Sequence, residues 1–125
     1  MFAMSAAAVD FQPLSAARQE VIDRAHLSRA TLGDKALERE VLQLFDRQSE
    51  LLLARMSDAP ANAVATLAHT LKGSARGIGA WRVAEAAEAI EGAAADAGDI
   101  ARAYDRLAAA VGEARAAIAG LLRGH

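Results

Sequence analysis

The residues best placed to do chemistry lie in one short run, His69-Thr-Leu-Lys-Gly-Ser-Ala-Arg76. On a helix, positions three and four apart share a face, so His69, Lys72, Gly73 and Arg76 form one patch. Histidine is a competent nitrogen nucleophile near neutral pH, because much of it is unprotonated there. Lys72, one turn on, supplies a positive charge suited to neutralising phosphoryl oxygens. Gly73 is the odd member, since glycine inside a helix costs about 0.5–1 kcal/mol relative to alanine. The chain uses alanine freely, 34 times, so a glycine here departs from its own habit. With no side chain at 73, a partner surface can reach the imidazole. His69 stands two residues from both Leu67 and Leu71, about 200° around the helix axis, and is expected to face solvent. The patch therefore reads as a phosphoryl acceptor with an open front. Plainer readings compete: Lys72 and Arg76 as solvated surface, Gly73 as a packing notch, and the Glu85, Glu88 and Glu91 row as a wet face.

Helices must position this patch, and the sequence supplies them. Residues 1–12 read as a loose lead-in. A helical region follows between about Pro13 and Thr31, in one or two pieces, with Asp23 as the cap of the second. Asp34 is the expected N-cap of a long helix from Lys35 to about Ser57, carrying the stripe Leu37, Val41, Leu44, Phe45, Leu52 and Met56. Pro60 is expected in the first turn of the next helix, which runs to about Gly77 on Val64, Leu67, Leu71, Ala75 and Ile78. Gly77-Ile78-Gly79 marks a turn, and a helix from about Ala80 to Ala95 follows on Val83, Ala87, Ile90 and Ala94. Residues 96–99 read as a tight connection, with Asp99 capping a last helix. Its seam, Ile100, Tyr104, Leu107, Val111, Ala114, Ile118 and Leu121, steps four and three apart. Amphipathic helices joined by short loops predict an all-α fold: an antiparallel up-down four-helix bundle with a short N-terminal helical cap, one domain over residues 13–125. The alanine excess and the five aromatic residues imply a thin core of Leu, Val and Ile.

Composition removes several function classes. The net charge is −2 and no basic block occurs, so nucleic acid is not an expected partner. Cysteine is absent, which excludes disulfides and thiolate chemistry. The N-terminus lacks a positive start and an adequate apolar run, so it does not read as a signal peptide. No run is long enough for a membrane span, and a cytoplasmic protein is expected. Met1 and the loose first residues suit a free-standing protein. Histidines at 26, 69 and 125 are too scattered for a metal or haem bundle. His26 and His125 read as structural or incidental, and Trp81 as partial core. No GxxxxGK[ST] loop is present, so no ATP site is expected.

The run His69-Thr-Leu-Lys-Gly-Ser-Ala-Arg-Gly-Ile-Gly-Ala80 resembles the signature of histidine phosphotransfer (Hpt) domains. Leu32-Gly-Asp with Leu37, Val41, Leu44 and Phe45 is similar to the helix preceding that motif. Ala-Glu-Ala-Ile-Glu, residues 87–91, resembles the helix that pairs with it. The resemblance spans roughly residues 24–122 and implies a role for each matched position. His69 would be phosphorylated on Nε2, Lys72 would help to hold the phosphoryl group, and Gly73 would give the partner room. Ser74 and Ala75 match small residues that let the helix pack, with Ser74 and Arg76 near the partner. Glu88 or Glu91 is the nearest candidate to steady the imidazole. The implied partners are receiver domains of response regulators and of a hybrid histidine kinase. The donor's phosphoaspartate would come with its own Mg²⁺, so no bound cofactor and no metal site are expected here. Such a chain is a phosphoryl carrier rather than a stand-alone enzyme, and a monomer is expected because one bundle should use every seam. The alternative is a bundle that docks a receiver without accepting phosphate.

Overall fold

A computed structural model describes residues 20–95 and 98–124. The lead-in over 1–12, the first part of the N-terminal helical region, Asp96-Ala97 of the tight connection, and His125 lie outside the described residues. Among those described there are five helices and no strand: α1 (Arg24–Ala30), α2 (Lys35–Ser57), α3 (Ala61–Ile78), α4 (Trp81–Ala95) and α5 (Ile100–Gly124).

Their boundaries follow from local chemistry. Asp23 caps α1, accepting from the His26 N–H, and Asp34 caps α2, accepting from the N–H groups of Ala36 and Leu37. Pro60 is the N-cap of α3 rather than a first-turn residue; its extended backbone (ψ 161°) places it just outside the helix. Gly79 ends α3 in the left-handed region at φ 79°. An alanine there would also put its Cβ 2.9 Å from the Asp23 carbonyl oxygen. Asp99 accepts from the Arg102 N–H at 3.0 Å at the head of α5, the expected cap.

Helices α2 to α5 close into a ring, each packing on the next and α5 returning to α2, while α1 packs on α3. The long-range bonds give the directions. Arg39 reaches the Leu122 carbonyl, Arg115 pairs with Asp46, and the Tyr104 hydroxyl donates to the Leu53 carbonyl. Rising numbers on α2 thus meet falling numbers on α5. His69 opposite Glu91, with Arg76 opposite Glu88, shows the same antiparallel sense for α3 and α4. One core runs through the ring, with Leu27, Leu42, Leu71, Ile90, Leu107 and Ile118 excluded from solvent. Burying each such side chain contributes about 1.5–3 kcal/mol. Ala84, Ala86 and Ala87 line the inner side of α4, and their small size lets α3 and α4 approach closely. Helix α1 roofs one end, held by the Asp23 N–H donating to the Gly79 carbonyl at 2.9 Å.

One stripe sits differently from expectation. On α2 the buried set is Glu38, Leu42, Phe45, Ser49, Leu52 and Met56, whereas Leu37 and Leu44 are 38% and 54% exposed. The sequence carries two parallel seams there, 38-42-45-49-52-56 and 37-41-44-48-51, one residue or about 100° apart. Phe45, Leu52 and Met56 turn the first seam inward, and the second is left outside. On α3, Ala68 rather than Leu67 completes the buried stripe.

Candidate phosphoacceptor site

His69 sits midway along α3 on the face opposite its buried stripe, with its side chain 70% exposed. Its Nδ1 lies 3.1 Å from Oε2 of Glu91 on α4. A carboxylate can only accept, so in this contact Nδ1 carries the proton. The lone pair is then left on Nε2, in a ring that is mostly open to solvent. Of the two candidate acids, the structure places Glu91 at the imidazole. Glu88, one turn earlier on α4, stands 3.6 Å from Arg76.

Lys72 is drawn to the same carboxylate. Its Nζ is 2.7 Å from Oε1 of Glu91 and 3.9 Å from Glu88, and its side chain is only 13% exposed. Glu91 thus holds the imidazole with one oxygen and the ammonium with the other. The Lys72 ammonium keeps the Glu91 carboxyl below its usual range; burial opposes this, and the bond to His69 assists it. A carboxylate that stays ionised is a dependable acceptor for Nδ1–H.

Gly73 fronts this group. A Cβ built there would meet no atom within 4 Å, so internal packing does not require the glycine. The notch reading loses its support, and the space before the ring is open. Ser74 faces sideways instead: half-buried, it donates to Gln48 Oε1 on α2 at 3.1 Å. His69, Lys72, Gly73 and Arg76 therefore share one strip along α3, while Ser74 lines the groove towards α2. Gln48 escaped the sequence reading because no signal in the chain gives the α2–α3 register.

At the junction of α1 and α4, the titratable groups Asp23 and His26 are engaged in packing. The Trp81 indole N–H donates to Asp23 Oδ2 at 2.9 Å, and His26 packs edge-on against the Trp81 ring with centroids 4.9 Å apart. Burial would push the Asp23 carboxyl up, but the indole, the His26 N–H and nearby cations hold it below the usual range. Among the described residues no three His, Cys, Asp or Glu side chains converge as a metal site.

The family model for the Hpt domain matches residues 35–122, from the first turn of α2 almost to the end of α5. No curated protein and no solved structure matches the chain. The matched stretch contains His69, Lys72, Gly73 and Glu91 and covers more than half of the sequence. The chain belongs to the Hpt domain family, whose members carry out histidine phosphotransfer in two-component phosphorelays.

Proposed function

We propose that Nε2 of His69 accepts a phosphoryl group from the phosphoaspartate of one receiver domain and yields it to the aspartate of another. The observation that carries this reading is the Nδ1 contact with Glu91, which leaves the nucleophilic lone pair on an exposed nitrogen beside a glycine. In the forward step an Nε2–P bond forms as the bond between phosphorus and the aspartyl oxygen breaks, and the carboxylate leaves. The ring becomes a phosphoimidazolium, positively charged with its proton still on Nδ1. Glu91 faces that charge and stabilises it. The reverse step returns the phosphoryl group to a second carboxylate and restores the neutral ring.

Lys72 would turn its ammonium from Glu91 to the incoming phosphoryl oxygens, and Gly73 would admit the receiver's loops. Arg76 extends the positive strip one turn further. Phosphoryl transfer depends on position and charge more than on covalent help from the acceptor. The chain therefore acts as a carrier without its own ATP site, and Mg²⁺ comes with the receiver. Its receivers belong to response regulators and a hybrid kinase, in the cytoplasm. No helix among the described residues is long and apolar enough to cross a membrane.

The test is transfer of labelled phosphate from phosphorylated receivers to the native chain and to His69→Gln. Label should appear on the native chain alone, stable to base and labile to acid. Label on His69→Gln, or on neither chain with several competent receivers, overturns the proposal.

A further inference from the structure

Among the described residues, the large hydrophobic side chains that stand exposed are Leu32, Leu37, Leu44 and Leu51, at 91%, 38%, 54% and 51%. All four lie on α2 or in the turn leading into it. With Val41 and Gln48, both half-buried, the helical members form the series 37-41-44-48-51, which alternates steps of four and three. That is the spacing of a seam between two helices, and here it points outward. Leu32 is held out by a backbone at φ 54°, a conformation that leucine rarely adopts.

The phosphoacceptor site does not account for this stripe. Gln48 faces Ser74 across the antiparallel α2–α3 pair, so His69 is level with about residues 51–53 of α2. Leu37 then lies roughly 20 Å further along the axis, at 1.5 Å per residue. A standard interface buries about 800 Å² per partner, a disc of roughly 16 Å radius. Centred on His69, such a footprint takes in Leu51, reaches Leu44 near its rim, and leaves Leu37 and Leu32 uncovered.

We propose that two copies of this chain associate through their α2 helices, packed antiparallel along this outer seam. The charges beside the seam choose the direction and the register. Glu40 and Arg47 are exposed, and neither has an ion-pair partner among the described residues. When Val41 faces Leu44 of the second copy, and Leu37 faces its Gln48, Glu40 comes beside Arg47 of the second copy. Two-fold symmetry repeats the pair. Sliding by one heptad instead sets Arg47 against Arg47. A parallel pairing sets Glu40 against Phe45, which is buried in its own core. In the favoured register Leu32 arrives beside Leu51 of the second copy, so all four leucines are covered. The inference is independent of the phosphotransfer reading. It replaces the expectation of a monomer, whose premise fails at α2. The seam has few layers, so the association is weak and depends on concentration.

Sedimentation of the full chain between about 10 µM and 1 mM tests this, the range in which small interfaces titrate. The native mass should climb from 13.0 kDa towards twice that value. Leu44→Glu, at an exposed position, should stay monomeric with unchanged helix content by circular dichroism. Glu40→Arg alone and Arg47→Glu alone should each stay monomeric, since each sets like charges together. Mixed in equal amounts they should associate, because both cross-pairs are then complementary. A native chain that stays monomeric throughout, or a Leu44→Glu chain that still dimerises, overturns the proposal. A mixture that stays monomeric while the native chain dimerises overturns the register. If Leu44→Glu instead weakens binding of a receiver to a monomeric native chain, the stripe belongs to that partner and the proposal fails.

Discussion

Replacing Gly73 by alanine should move stability and transfer in opposite directions. The new Cβ meets no atom within 4 Å, so no packing penalty arises. The helix gains the difference in propensity between alanine and glycine, about 0.5–1 kcal/mol. Unfolding entropy of about 2.1 cal/mol/K per residue, over 125 residues, is about 260 cal/mol/K. The gain therefore raises the melting temperature by about 2–4 °C. On the proposed reading, the same methyl group stands where a receiver's loops would approach His69. A displacement of about 1 Å in reacting geometry can cost on the order of 100-fold in rate. Transfer should fall by about 10-fold in Gly73→Ala, and by more in Gly73→Leu. Thermal circular dichroism gives the first quantity, and single-turnover transfer from a phosphorylated receiver gives the second. A lower melting temperature for Gly73→Ala would show that packing requires the glycine. Native transfer rates in both variants would show that nothing needs the open space, and the argument for an accessible front would fall.

Glu91→Gln keeps an acceptor for Nδ1–H but removes the charge that would face the proposed phosphoimidazolium. Transfer should slow by about 10-fold, and by more in Glu91→Ala; equal rates in all three chains would refute the role. Glu91 also links stability to pH. Its folded carboxyl titrates below the reference value of 4.5, so its contribution is present above that value and is lost as pH falls through the lowered one. Denaturant melts should show the native chain about 1 kcal/mol ahead of Glu91→Gln at neutral pH, with the gap closing in acid. Gly79→Ala should destabilise by about 2–4 kcal/mol in the same melts, since it combines left-handed backbone strain with crowding against Asp23. A cost below about 1 kcal/mol would mean that the junction relaxes freely.

The helix ends were legible because capping chemistry is local: Asp23, Asp34 and Asp99 cap helices where the sequence indicated. The face of α2 was not, because two seams one residue apart carry comparable leucines. Only the packing of neighbouring helices chooses between them, and it buried Glu38 and Ser49 in preference to Leu37 and Leu44. The strip His69, Lys72, Gly73 and Arg76 followed from spacing on a single helix. Choosing between Glu88 and Glu91 did not, since they share a face of α4, and the axial offset between α3 and α4 decides which meets the ring. That offset is set by the two-residue connection Gly79-Ala80. Lys72 was expected beside the phosphoryl group, and its engagement with Glu91 depends on the same offset.

The roof over the bundle bears on where this carrier can be cut and transplanted. The family match begins at residue 35, yet the structure's physical boundary lies earlier. Leu27 is fully enclosed, Ile22 is 4% exposed, and the Asp23 side chain receives the indole N–H of Trp81 at the head of α4. A fragment trimmed to the matched stretch would forfeit about 3–6 kcal/mol of apolar burial from those two side chains. Domains of this size hold only about 5–15 kcal/mol in total. The hydrogen bond that fixes the last turn of α3, from the Asp23 N–H to the Gly79 carbonyl, would go as well. The smallest portable unit of this domain thus includes residues 22–34, a stretch apart from the His69 strip that contributes much to the rigidity of the helix that bears it.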